Sequence, residues 1–140
     1  DDLAATVSRI PEAGVFTMTD QLAQRVYDAA AATLSDLLGD KDNHPIYLTS
    51  LIGQQFRRLY AVRTALDAGR GRAEAMELCG VAYDGIYQKL ASAARSYGAD
   101  SLAAIVSLCA EYDYMMKSTG LDPYQLIREL FAHIAAEART

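Results

Sequence analysis

The stretch HPIYLTSLIGQQFRRLYAVRTAL, residues 44–66, decides how the rest of the chain is read. Ile46, Leu48, Leu51, Ile52, Phe56, Leu59, Tyr60, Val62 and Leu66 recur at helical spacing over roughly six turns. So broad an apolar face needs neighbours on more than one side. Pro45 stands where a helix tolerates a missing N–H, which marks the start. Gly69 and Gly71 end the helix. The stretch therefore predicts the central helix of an all-α domain.

Working back towards the N-terminus, Asp1 to Arg9 reads as a short helix or the end of one, stopped by Pro11. Pro11 to Met18 reads as a crossing segment with Gly14 at a turn and Val15, Phe16 and Met18 tucked beneath the helices. Thr19 is the expected cap of a helix from Asp20 to about Leu38, with Leu22, Val26 and Leu37 on its apolar stripe and Ala29 to Ala32 favouring helix intrinsically. GDKDNH, residues 39–44, is a polar turn into the central helix. Residues 1–18 are thus a linker or the end of a preceding domain, and residues 19–140 the helical domain.

Working forward, Arg72 to Leu78 forms a short helix closed by Gly80. A second runs from Asp84, its plausible cap, to about Ser96, led by Ile86, Tyr87, Leu90 and Ala94. Asp100 or Ser101 caps a long helix to about Ser118, with Leu102, Ile105, Val106, Cys109, Tyr112 and Met116 as its core stripe. Asp113 lies at the edge of that stripe with Lys117 four residues on, a modestly favourable order. If buried, Asp113 needs a partner, and Arg57 or Arg63 is the candidate. Asp122-Pro123 restarts the chain as cap and first helical residue, with Gln125 placed to complete a capping box. Leu126, Ile127, Leu130, Phe131, Ile134 and Ala135 line the last helix. Period-two alternation never persists, so no strand is expected. The expected fold is a compact bundle of about five to six helices with short connections.

A chain of 140 residues, 51% hydrophobic and 22% charged, suits one globular domain with a real core. Its formal net charge of -5 argues against a dedicated polyanion binder, although a local basic patch remains compatible. Cys79 and Cys109 each lie within an apolar helical pattern and read as reduced, buried thiols rather than a disulfide. No apolar run approaches the length of a membrane span, and no signal-like start is present, so a cytoplasmic protein is the expectation. The opening Asp1-Asp2, without methionine, is taken as the edge of a domain cut from a larger protein.

No catalytic constellation emerges. GRGR at residues 69–72 lacks the spacing, lysine and hydroxyl residue of a phosphate loop. His44 reads as a turn or cap residue and His133 as a partly exposed helix position, neither in a metal spacing. No serine sits in a nucleophile-elbow context. Neither a cofactor nor a metal is called for. Five of the 13 basic residues, Arg57, Arg58, Arg63, Arg70 and Arg72, fall close together. They are a solvated face or, more sharply, a subunit or phosphate contact. The two short helices have the layout of a helix-turn-helix, but Lys89 and Arg95 alone are thin for phosphate binding. Six of the nine tyrosines crowd the second half, at positions 83, 87, 97, 112, 114 and 124, which suits an interface or a core with wet rims.

In order and spacing, several pieces resemble the C-terminal portion of the bacterial DNA polymerase III delta subunit, a clamp-loader component. They are VSRIPEAGVFTMTDQL, the central stretch, AEAMELCGV with YDGIYQKLASAARSY, SLAAIVSLCAEYDYMMKSTG and LDPYQLIRELFAHI. The resemblance implies a collar: the non-catalytic oligomerisation domain through which loader subunits pack into a ring. The implied partners are the gamma/tau ATPase subunit and the delta-prime subunit. DNA would be met only indirectly, the sliding clamp only through two preceding AAA+-like domains not seen here, and a membrane not at all. It also implies that Arg57, Arg58 and Arg63, with Tyr112, Asp113 and Lys117, make or support the contacts, truncation of Tyr112 weakening partner binding more than the fold. The alternative is a stand-alone helical protein-binding adaptor.

Overall fold

The computed structural model describes residues 11–139, and every described element is helical. In chain order these are α1 (Pro11–Ala23), α2 (Tyr27–Leu38), α3 (Pro45–Asp67), α4 (Arg72–Cys79), α5 (Asp84–Ser96), α6 (Ala99–Ser118) and α7 (Pro123–Ala138). Seven helices are therefore described, against the five to six expected. The expected helix over Asp1–Arg9 lies outside the described residues.

The extra helix arises at the N-terminal side, and three local facts explain it. Pro11 is the first described residue of α1, and Pro45 and Pro123 begin α3 and α7. A proline lacks only the N–H that a first-turn residue would leave unpaired. Gly14 is not a turn but a close approach, since a Cβ there would fall 2.6 Å from Leu37 Cδ2 on α2. Thr19 is not a cap: it sits buried within α1, its hydroxyl donating back to the Phe16 carbonyl at 2.9 Å.

The chain then breaks where a continuous helix was expected. Arg25 adopts φ 63°, with Arg25 N donating to Leu22 O and Val26 N to Gln21 O. That is the Schellman pattern, here with arginine in the left-handed position that glycine normally takes. The break turns Val26, expected on the apolar stripe, out to 46% exposure. The same pattern closes α3 at Gly69 and α4 at Gly80, each at φ 73°, through Arg70 N to Ala65 O and Val81 N to Met76 O.

The central helix is α3, packed against α1, α4, α5, α6 and α7, while α2 lies mainly on α1. Leu48, Ile52, Phe56, Leu59, Val62 and Ala65 are all buried along it. Each large apolar side chain so enclosed contributes about 1.5–3 kcal/mol relative to exposure, which is why one helix can organise the rest. His44 caps α3, its Nδ1 accepting from Ile46 N at 3.1 Å. Tyr97 ties the ends together: its ring meets Phe56 edge-on at 5.7 Å and its hydroxyl donates to the Thr19 carbonyl at 2.8 Å. Burial, and then the charge of Asp20, hold that phenol well above its ordinary pKa.

Other helix starts shift by a residue or two from expectation. Asp84 is the first residue of α5, preceded by Tyr83, and Gly98 rather than Asp100 or Ser101 precedes α6. Asp122 does cap α7, accepting from Tyr124 N at 3.0 Å. Gln125 donates instead to Glu129 at 3.2 Å, so no reciprocal box is formed with the cap.

Candidate functional site

The six residues singled out from the sequence do not form one patch. Arg63 belongs to the fold. Its Nη1 donates to the carbonyls of Ala94, at 3.2 Å, and Tyr97, while Nε meets Asp67 at 3.1 Å. The C-terminus of α5 has an extended residue, Tyr97, where a glycine cap would otherwise turn the chain. Its last carbonyls would be left without donors, and a guanidinium from α3 supplies them.

Tyr112 is also a fold residue, only 6% exposed and in the core cluster. Its ring lies 6.0 Å from that of His133. Burial first, and then the nearby Glu129 and Glu111 carboxylates, raise its phenol above the ordinary value. Asp113 pairs with Lys117, four residues on, at 2.9 Å. Its second oxygen, Oδ1, is buried without a hydrogen-bond partner among the described residues. Neither Arg57 nor Arg63 reaches it with an ion pair, contrary to expectation. Arg63 is committed to the end of α5, and the Arg57 guanidinium folds back along its own helix, Nη1 3.0 Å from where a Gly53 Cβ would stand.

Arg57 and Arg58 face a groove of about 370 Å³ between α3 and α4, with Gln54, Ala61, Leu78, Cys79 and Gly80 around it. Leu78, which lines it, is 57% exposed, and Tyr83, on the connection from α4 to α5, is 72% exposed. Ile86, expected to lead the buried face of α5, is 43% exposed instead. These uncovered apolar residues were missed because a short helix offers too few turns to separate its buried face from its free one. The tyrosines divide between roles: Tyr87, Tyr97 and Tyr112 are buried, while Tyr83, Tyr114 and Tyr124 are exposed.

The electrostatics do not assemble a reactive centre from these parts. Cys79 and Cys109 are free and buried. Burial pushes the Cys109 thiol up to about 12, and it raises Cys79 as well, so neither is a thiolate nucleophile near neutral pH. Among the described residues no group of three or more His, Cys, Asp or Glu side chains could hold a metal ion. No described helix is long and apolar enough to cross a membrane. In the α4–α5 pair, Lys89 and Arg95 are exposed, but Arg72 is held 3.7 Å from Asp84, and α4 itself carries Glu74 and Glu77. A recognition helix for DNA would need the opposite balance.

Comparison with known proteins bears on what such a helical domain is. The chain is similar in fold to the Bacillus subtilis DNA clamp loader delta protein (YqeN), with a TM-score of 0.84 at 23% identity. The likeness covers 97% of this chain and 40% of that one, so this chain spans well under half of that protein's length. No curated protein matches in sequence. The family model described as DNA polymerase III delta subunit, C-terminal domain, matches residues 12–134, covering every described helix either wholly or in large part. The chain belongs to the family formed by the C-terminal domains of DNA polymerase III delta subunits.

Proposed function

We propose that this chain is the collar of a clamp-loader delta subunit: a non-catalytic oligomerisation domain that holds its subunit in the loader while the sliding clamp is placed on DNA. The single observation that carries the reading is the family match over residues 12–134. The architecture supports it. A domain that must stay docked while an ATPase tier moves needs a rigid frame, and α3 with five helices packed around it is one. Its partners on this reading are the gamma/tau ATPase subunit and the delta-prime subunit. Clamp and DNA would be met through other parts of the protein, and the domain itself would perform no bond chemistry. The helical domain on this reading includes α1, because its Val15, Met18 and Leu22 are core residues.

The test is co-purification of this chain with the ATPase and delta-prime subunits from the same cell, with the mass of any complex measured by light scattering. A discrete hetero-oligomer containing one copy of the chain is the expected result. A chain that stays monomeric beside folded, competent partners would overturn the assembly role for this domain.

A further inference from the structure

The arginines along α3 and α4 fall into two groups. Arg63 holds Asp67, Arg70 holds Glu74, and Arg72 lies 3.7 Å from Asp84. Arg57 and Arg58 reach no carboxylate among the described residues, in a chain whose formal net charge is -5. Both line the groove between α3 and α4, and the exposed Leu78 forms part of its wall. Two unpaired guanidinium groups beside an uncovered leucine match the make-up of protein contacts, in which arginine anchors and apolar pockets carry the binding.

We propose that this groove receives a carboxylate-bearing segment of a partner protein, an apolar side chain seating on Leu78 and flanking Asp or Glu residues pairing with Arg57 and Arg58. The inference rests on the assembly reading and adds the chemistry of the contact: the partner is a neighbouring subunit that presents acidic residues beside an apolar one. Guanidinium groups suit this role because they bind carboxylates two-pronged and shed water more readily than an ammonium does. A nucleic acid is the poorer occupant. Its backbone lays down charge continuously and is held by cations in series, whereas Arg57 and Arg58 are the two cations that line this groove, in a chain of formal net charge -5. A short acidic segment of protein needs no more than those two.

The experiment titrates the chain and its R57E/R58E and L78S variants into the ATPase and delta-prime subunits, by calorimetry with light scattering. Thermal melts show whether each variant is folded, and R57Q/R58Q serves should charge reversal disturb α3. Charge reversal is expected to weaken the complex roughly tenfold or more, and L78S several-fold, at unchanged melting temperature. If the parent chain assembles and all the variants bind equally well, the groove proposal is overturned and the assembly reading stands. If the parent chain does not assemble at all, both fall. A fluorescent DNA duplex is the second arm. Binding by the parent chain that falls steeply with salt and disappears in R57E/R58E would overturn the protein occupant.

Discussion

Replacing Arg63 by methionine isolates the guanidinium, because the apolar stem is kept. The guanidinium gives Nη1 to the carbonyls of Ala94 and Tyr97 at the end of α5 and Nε to Asp67 at 3.1 Å. A hydrogen bond from a charged donor is worth about 1.5–3 kcal/mol net when well enclosed. The Arg63 side chain is 23% exposed, so water can recover part of what the carbonyls lose. The Asp67 pair, with its carboxylate 54% exposed, adds well under 1 kcal/mol. The expected loss for R63M is therefore about 2 kcal/mol, or a fall in Tm of about 6 °C for a chain of this size. Urea unfolding followed by circular dichroism measures it directly. D67N is the control and should cost less than about 0.5 kcal/mol. If R63M unfolds within about 0.5 kcal/mol of the parent, or if D67N costs as much as R63M, then Arg63 does not cap α5 and its proper place is among the surface contacts.

Other outcomes follow from the same geometry. Arg25 occupies a left-handed position at φ 63°, so R25G should relieve strain and raise stability by up to about 1 kcal/mol, read as a rise in Tm. Conversely, G80A at φ 73° meets no neighbouring atom and should lose about 1 kcal/mol through the backbone alone. Y112A should destabilise the fold by about 3–5 kcal/mol, because the ring is in the core; an unchanged melt with weakened partner binding would restore Tyr112 to the contact surface. Cys109 should resist thiol reagents at mild alkaline pH until the chain unfolds. Its folded pKa is raised, to about 12, above the unfolded value near 9, so the unfolded state loses its proton first. The contribution is thus complete below pH about 9 and declines as pH rises towards 12. Denaturation midpoints measured across that window should fall, and a C109A variant should fall less.

The groove between α3 and α4 could not be read from residue types. Arg57, Arg58, Arg63, Arg70 and Arg72 look alike as a basic stretch, yet three of them are paired and two are not. Arg63 pairs with Asp67 at short sequence range, but its carbonyl partners lie 31 and 34 residues away. Only the crossing of α3 with the end of α5 brings them together. The same holds for Asp113, whose Lys117 partner is a local i,i+4 neighbour and whose proposed arginine partner would have required a particular rotation of α3 against α6.

The sequence by itself determined the class, the long central helix and most of the helix ends. Apolar spacing over many turns survives any tertiary arrangement, and proline and glycine act within a residue or two. Gly69 and Gly80 close their helices because a left-handed turn is easy without a Cβ. Tertiary structure alone decided the break at Arg25, where packing of α1 against α2 holds an arginine in a glycine's conformation and Gly14 admits Leu37. It also decided which tyrosines are buried and which arginines are free. Those outcomes depend on the distance between helices remote in sequence, and no local periodicity contains that distance.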